Sequence, residues 1–518
     1  MLYKKNSAKE LSNELFANPT SEYRGTPFWS WNCKMTPELL EKQIDYLKEM
    51  GFGGFHMHSR HGMDNEYLGD DFMSLIRACT DKAKAEEMLA WLYDEDKWPS
   101  GFAGGLVTKE PKYRQRQLII VSPDVLKQKP EYNELPDGAQ AQADLSDELP
   151  PKEAYEKGKP YYIATFDIVL DKNGYLESYR KIGRKARAKG LKRHIFCRCE
   201  PCTDWFNGYT YVDTLSKTAT QKFIEITHET YKKWVGDEFD KSVPAIFTDE
   251  PQHSFVNMLI DPASKTVLTA PWTYDLPKTY KKTYGDDVVA TFPEIFWDLK
   301  DNKPSLARYR YHDHVCQRMS DAFMALCGKW CDKNGIKLTG HLMGENSLYM
   351  QAWTGGEGMR NYKHFGYVGI DLLRNNVELT TAKQAQSVTR QYGKEAIVSE
   401  MYGITNWDFD FRDHKFQGDW QAALGVTVRV PHLSWVSMKG NAKRDYPASI
   451  NYQSPWYKQY KYIEDHYARI HTALTRGKPL CSVAVIHPIE SYWLHWGPND
   501  KTALRRESMD ERFLGLTD

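Results

Sequence analysis

The chain reads as an α/β protein: a parallel (β/α)8 TIM-like barrel with a β-rich insertion after its third strand and the start of a further C-terminal domain. Three observations predict this. Short apolar runs alternate with helix-length amphipathic stretches from about residue 28 onward. Several runs stop abruptly in acid: Val243-Pro244-Ala245-Ile246-Phe247-Thr248-Asp249-Glu250-Pro251, then Leu89 to Asp96, then Glu395 to Gly403. Carboxylates at the carboxyl ends of buried parallel strands are where barrel enzymes keep their reacting groups. Finally, 518 residues exceed one small core and fit one large domain with additions.

Taken in order, Phe28 to Asn32 reads as the first strand. Thr36 to Met50 reads as a helix: Thr36 caps it, Pro37 and Glu38 suit its first turn, and Leu39, Leu40, Ile44, Leu47 and Met50 recur at helical spacing. Gly51 ends it, as a glycine just past a helix does. Phe52 to Ser59 is the second strand, Asp71 to Met88 a helix, and Leu89 to Asp96 the third strand. The rhythm then breaks. Residues 106–213 hold β-like runs at Gln117–Val121, Tyr161–Leu170 and His194–Cys199, with a polar stretch at 129–158 between the first two. A helix over 214–237 resumes the pattern, with Phe223, Ile224, Ile226, Thr227, Thr230, Tyr231 and Trp234 facing inward. Val243–Thr248 is the fourth strand, followed by a Pro- and Trp-rich loop over 251–304 and a helix from Ser305 to Asn334. Lys337–Met343, Tyr367–Leu373, Ala396–Glu400 and Val426–Val436 complete the eight strands, and a helix over 454–474 closes the series. Residues 1–24 read as a leader and 25–475 as the barrel. The alternating run Leu480–His487 and the helical pattern at Met509–Leu516 place the opening of a further domain in 476–518, one that reads as continuing past Asp518.

Lysine plus arginine equals aspartate plus glutamate at 69 each, so charge gives no reason to expect nucleic acid or a membrane surface as partner. No run of about 18 apolar residues predicts a membrane span. The basic N-terminus has no apolar segment behind it, and nine cysteines stand at irregular spacing. The expectation is a cytoplasmic chain without a disulfide framework. Sixteen tryptophans and thirty-two tyrosines supply either core or platforms for sugar rings.

Hydrolysis of a glycosidic bond needs two carboxyl groups, one to protonate the leaving oxygen and one to attack or to activate water. Glu250 follows the fourth strand and Glu400 ends the seventh, so they face each other across an eight-strand ring; Glu345 follows the fifth. The bland alternative is that these acids cap helices or form rim salt bridges. Candidates for holding substrate hydroxyls or rings at other strand ends are Asn32, His56, His58, Asp94, Asp96, Trp98, Asp249, His341, Asp371 and Trp435. For the loop around Trp98 the alternative is a rigid turn at Pro99-Ser100-Gly101 with its acids paired to Lys97. His56 and His58 share one face of a strand and could hold a metal with His341 or Asp371 as third ligand, which keeps a metal-dependent barrel hydrolase open. Cys197-x-Cys199-x-x-Cys202 lacks the second ligand pair of a zinc knuckle, and Gly51-x-Gly53-Gly54 precedes a strand rather than the helix of a phosphate loop.

Pro27-Phe28-Trp29-Ser30-Trp31-Asn32, Gly53-Gly54-Phe55-His56-Met57-His58, Trp91-Leu92-Tyr93-Asp94-Glu95-Asp96 with Trp98-Pro99-Ser100-Gly101, and Phe247-Thr248-Asp249-Glu250-Pro251 together resemble glycoside hydrolase family 106. The resemblance runs in order from about residue 25 to 490. That family contains α-L-rhamnosidases acting on plant polysaccharide side chains. The resemblance implies a barrel, two catalytic glutamates and inversion at the anomeric carbon. It implies Glu250 as general acid and Glu400, in Ser399-Glu400-Met401-Tyr402-Gly403, as general base, with Glu345 the alternative base. Inversion would set the two carboxyls roughly 6.5–9.5 Å apart. No cofactor is required for that chemistry, though family members can carry a calcium ion at the active site. The chain departs from the family in showing neither the usual long β-rich tail nor a secretion signal, and an inactive sugar-binding relative is a further alternative.

Overall fold

The computed structural model describes residues 2–127 and 149–518. Most of the polar stretch 129–158 lies outside the described residues; its end, Pro151–Lys157, is a short helix closed by Gly158.

Fourteen strands are described: β1 Phe28–Trp31, β2 Gly54–Ser59, β3 Leu89–Tyr93, β4 Arg116–Val121, β5 Tyr161–Leu170, β6 Leu176–Ile182, β7 Leu191–Cys199, β8 Ala245–Thr248, β9 Leu268–Trp272, β10 Lys337–Gly340, β11 Val368–Leu372, β12 Ile397–Met401, β13 Val426–Pro431 and β14 Ser434–Trp435. Six form a parallel sheet in the order β10-β8-β3-β2-β1-β14, and three a second parallel sheet, β11-β12-β13. Backbone hydrogen bonds tie the two at both margins. Gly366 N donates to Leu338 O at 2.8 Å, and Thr26 N to Arg429 O at 2.9 Å.

The strands alternate as a doubly covered sheet requires. Phe28, Trp91, Tyr93, Phe247, Val398, Val428 and Val430 pack together on one side. Trp29, Trp31, Phe55, Leu92 and Ile246 face the helices on the other. The helix Pro37–Glu49 forms as its sequence dictates: Thr36 accepts from Leu39 N, Pro37 opens it, and Gly51 adopts φ +88° behind it. The helix expected over 214–237 spans Lys217–Val235 with a π-turn at Ile224–His228, and that over 305–334 spans Leu306–Lys333 with a π-turn at Ser320–Met324.

Strands end sooner than sequence periodicity predicts. Leu89–Asp96 pairs only to Tyr93, because the backbone of 94–104 is drawn into a turn: Glu95, fully buried, accepts from the N–H of Asp96, Gly101, Ala103 and Gly104 at 2.6–2.9 Å. Val426–Val436 breaks at His432-Leu433, where the chain leaves β12 and rejoins beside β1 as β14. The β-like runs within 106–213 form an antiparallel sheet, β6-β5-β7-β4-β9. Its edge strand β9 comes from the 251–304 stretch, which sequence reading leaves as loop; that stretch also holds the helices Leu276–Tyr284 and Phe292–Phe296.

The two ends of residues 2–24 are anchored, with an exposed stretch between them: Leu2 and Tyr3 donate backbone N–H groups to Glu395, and Tyr3 stacks on Tyr23. Leu480–His487 forms no strand. It meets no sheet edge among the described residues, and Leu480 and Ile486 are 96% and 88% exposed. Beyond it, the helices Ile489–Leu494 and Asn499–Thr517 pack through Tyr492, Trp493, Trp496 and Phe513 onto Val256, Leu348 and Ala352. No helix among the described residues is long and apolar enough to cross a membrane.

Candidate active site

Register brings the acids together. In β8 and β10, Thr248 pairs with Gly340, so Asp249 and His341 emerge side by side. In β11 and β12, Asp371 pairs directly with Glu400. Two glycines allow close backbone approach here, Gly340 to β8 within its own sheet and Gly369 of β11 to β10 across the two sheets. A Cβ on Gly340, at φ +125°, would lie 1.8 Å from Thr248 O, and one on Gly369 would lie 2.0 Å from Gly340 O.

His341 is the hub. Its Nε2 lies 2.9 Å from Asp249 Oδ1, and its Nδ1 3.6 Å from Glu400 Oε2. Ligand atoms of Asp249, His341 and Glu400 lie within 4.8 Å of one another, as do those of Glu250, His341 and Asp371. Glu250 and Glu400 thus reach one imidazole from different walls. Asp249, His341 and Glu400 are buried, whereas Glu250 and Asp371 are partly exposed. Glu250 holds φ +46°, the left-handed region that a non-glycine residue enters at a cost, of order 1–3 kcal/mol at such sites.

Burial of several carboxyls around one cation sets the charges. Desolvation, then Asp249, Asp371 and Glu345 nearby, push Glu250 up to about 8. Burial, then Asp371 and other acids, hold Glu400 well above the ordinary carboxylate range, against the pull of His341. Asp371 rises to about 6 and Glu345 to about 7, both chiefly by burial. His341 is held well above its usual value despite burial, because Asp249 hydrogen-bonds it and Glu400 and Asp371 add charge. Asp249 stays low despite burial: it accepts from His341, and Tyr93 OH donates to its Oδ2 at 2.5 Å. The cluster therefore sets an Asp249–His341 ion pair beside carboxyls whose affinity for protons burial has raised, Glu250 more than Asp371.

Glu345 is tied down. Its Oε1 accepts from Leu342 N at 2.8 Å and its Oε2 from Asp371 N at 3.1 Å, clamping the ends of β10 and β11. Asp371 Oδ1 has no partner.

The other candidates fall into two groups. His58 and Trp435 lie close to the cluster: His58 feels Asp249 and packs at 4.0 Å on Tyr93, and Trp435 lies under the guanidinium of Arg60. Trp98, partly exposed, covers the other face of that guanidinium at 4.4 Å. Asn32, His56, Asp94 and Asp96 serve the scaffold. Both ends of the Asn32 amide bond the backbone of Ser437. His56 is enclosed by Phe28, Trp91 and Phe247 and bonded to Thr26 O, and burial pushes it down to about 3. Asp94 accepts from Ser100 at 2.5 Å, and Asp96 from Asn207. Lys97 bonds Asn207 instead of the loop acids. Neither His56 nor His58 belongs to a convergent ligand group among the described residues, and neither do the cysteines, all nine of which are free.

Three site residues escape sequence reading. Tyr93 is the last residue of β3. His432, just past β13, sets Nε2 3.6 Å from Glu400 Oε1. Arg60 follows β2, ion-pairs Asp445 at 3.3 Å and is almost wholly buried between Trp98, Trp435 and Tyr446. Each stands at or just beyond a strand end, so position was the available signal; residue type alone did not distinguish them.

No family model matches the sequence, and no curated protein matches it either. Solved structures do. A rhamnosidase from Novosphingobium sp. PP1Y superposes with a TM-score of 0.61 at 14% identity, over 90% of this chain and 61% of that one. The catalytic domain of a β-amylase from Paenibacillus polymyxa and a GH42 exo-carrageenase from Bacteroides ovatus match at TM-scores of 0.41 and 0.35 with 10% identity each, covering 84% and 57% of this chain and 98% and 42% of theirs. Those scores are too low to carry an argument. This chain, spanning under two thirds of the rhamnosidase's length, has a mixed α/β fold with parallel sheets that it shares with that enzyme.

Proposed function

We propose that the chain is an inverting glycoside hydrolase that releases terminal sugars, α-L-rhamnose foremost, from plant polysaccharides or glycosides. The eight parallel strand positions act as one barrel, joined at the two hydrogen-bonded margins between β10 and β11 and between β13 and β1. The observation that carries the reading is the approach of Glu250 and Glu400 to one imidazole at the strand ends.

Glu250, protonated up to about pH 8 and partly exposed, donates its proton to the leaving oxygen. Glu400 takes a proton from the attacking water. Its raised affinity for protons makes it a stronger base than an ordinary glutamate. His341, fixed by Asp249, favours the ionised form of Glu400 that the base role requires. Glu345, with both oxygens committed to backbone N–H groups, positions β10 against β11 and suits the base role less well. The likeness to a rhamnosidase fold supports the sugar class, and the screen that tests it is a panel of nitrophenyl glycosides with the released anomer followed by NMR.

The pH profile follows. Activity requires Glu250 protonated and Glu400 ionised. The rate is expected to fall above about pH 8 as Glu250 loses its proton, and to fall on the acid side well above the usual carboxylate range as Glu400 gains one. A profile flat from pH 5 to 10 would refute the assignment.

Calcium does not suit this donor set. Calcium takes six to eight oxygen ligands, whereas both convergent groups centre on a nitrogen of His341, and the oxygens available are those the acid–base chemistry uses. Treatment with EDTA is expected to leave initial rates within about twofold, since neither proton transfer calls on a metal. Loss restored by zinc would establish the metal-hydrolase alternative, and loss restored by calcium would reassign Glu250 and Asp371 as ligands.

A further inference from the structure

A cavity of about 710 Å3 is lined by Asn257, Tyr349, Tyr492, Glu507, Asp510 and Glu511, among others. It is joined to the site through the chain itself. Ser347, on its wall, stands two residues after Glu345, and Asn257 seven residues after Glu250. The intervening segments are bonded together: His253 N donates to Thr354 O at 2.9 Å, and Gln351 Nε2 to Glu345 O at 3.1 Å.

A row of near-parallel aromatic rings runs along these segments. Trp496 and Tyr349 have centroids 5.5 Å apart, Tyr349 and Trp353 6.2 Å, and Trp353 and Phe255 4.2 Å, with interplanar angles of 23–24°. Rings at the two wider spacings are offset rather than overlaid, which leaves part of each face uncovered. Tyr349 and Phe255 are 37% and 38% exposed. Of the four rings Tyr349 lines the cavity, and a partly uncovered flat ring there is costly to leave in water and fits the C–H face of a pyranose ring.

The polar groups select the ligand's charge. Asp510 is committed to the backbone N–H groups of Leu348 and Tyr349, at the start of the helix Leu348–Thr354. Arg506 is committed to His495 O and Asn499 Oδ1. Glu507 and Glu511, one helical turn apart in Asn499–Thr517, remain as acceptors for hydroxyl donors. An acidic wall repels uronates and phosphates and suits neutral hydroxyl groups. The volume lies in the range of ligand pockets, about 300–1,000 Å3.

We infer that this cavity, with Tyr349, Glu507 and Glu511 on its wall, binds the leaving-group side of the substrate, a neutral oligosaccharide of several residues. The inference rests on the glycosidase reading for its role but not for its test. Linear galacto-, arabino-, xylo- and cello-tetraose are titrated calorimetrically into the full chain carrying Glu250→Gln. Binding of one or more with Kd below about 1 mM is expected. Adding Tyr349→Ala, or Glu507→Gln with Glu511→Gln, should weaken it at least fivefold. Tetragalacturonate should bind more weakly than every tetraose that binds. Absence of binding by all four overturns the inference, as does binding unaffected by both sets of changes. If Tyr349→Ala unfolds the chain, the Glu507→Gln, Glu511→Gln variant decides in its place. Wild-type inactivity on every aryl glycoside would remove the glycosidase reading and leave this result standing on its own.

Discussion

Glu250→Gln is expected to lower kcat/KM on 4-nitrophenyl α-L-rhamnoside by about 10²–10⁴-fold, the usual contribution of general acid catalysis, without loss of folding. The amide keeps the shape of the carboxyl but has no proton to give the leaving oxygen. Stability should hold or rise, because burial, and then Asp249, Asp371 and Glu345 nearby, already push the Glu250 carboxyl up to about 8. Two refinements make the result specific. The loss should shrink on a dinitrophenyl glycoside, whose leaving group needs little protonation, and the alkaline limb of the pH profile should disappear. Rates unchanged from wild type would take Glu250 out of the acid role.

Glu400→Gln is expected to cost about 10²-fold or more, while Glu345→Gln costs less in rate and more in stability. The difference lies in what each carboxyl touches. Glu400 faces two imidazoles, at 3.6 Å from His341 Nδ1 and 3.6 Å from His432 Nε2. A change there removes a base but breaks no backbone contact. Glu345 accepts from two backbone N–H groups, and an amide nitrogen turned toward either leaves a buried donor unpaired, at about 1–3 kcal/mol. Urea midpoints and initial rates on one substrate separate the two. A large rate loss in Glu345→Gln at unchanged midpoint, with Glu400→Gln active, would transfer the base role to Glu345.

Most of the scaffold can be read locally. The eight parallel strand positions fall where short apolar runs stand, and the helix after β1 starts at Thr36 and stops at Gly51, because capping and periodicity act within a few residues. Errors cluster where distant backbone decides. The alternation in Leu480–His487 is real, but it meets no strand partner, so the segment stays extended and exposed. Leu268–Trp272 gains its strand form from pairing with β4, which lies about 150 residues earlier in the chain. Asp94 and Asp96 look like rim acids in sequence, yet buried Glu95 bends their loop and turns them to Ser100 and Asn207.

The site divides along the same line. Sequence alone was enough to mark Glu250, Glu345, Asp371 and Glu400 as acids at strand ends, because strand termination and residue type are local facts. It could not determine which of them share a charge environment. That depends on the pairing of Thr248 with Gly340 and of Asp371 with Glu400, and on Gly369, which lets β11 approach β10. The raised affinity of Glu250 and of His341 for protons arises from that packing. Coulomb energy falls off with distance and rises as water is excluded, and both quantities exist only once the chain has folded.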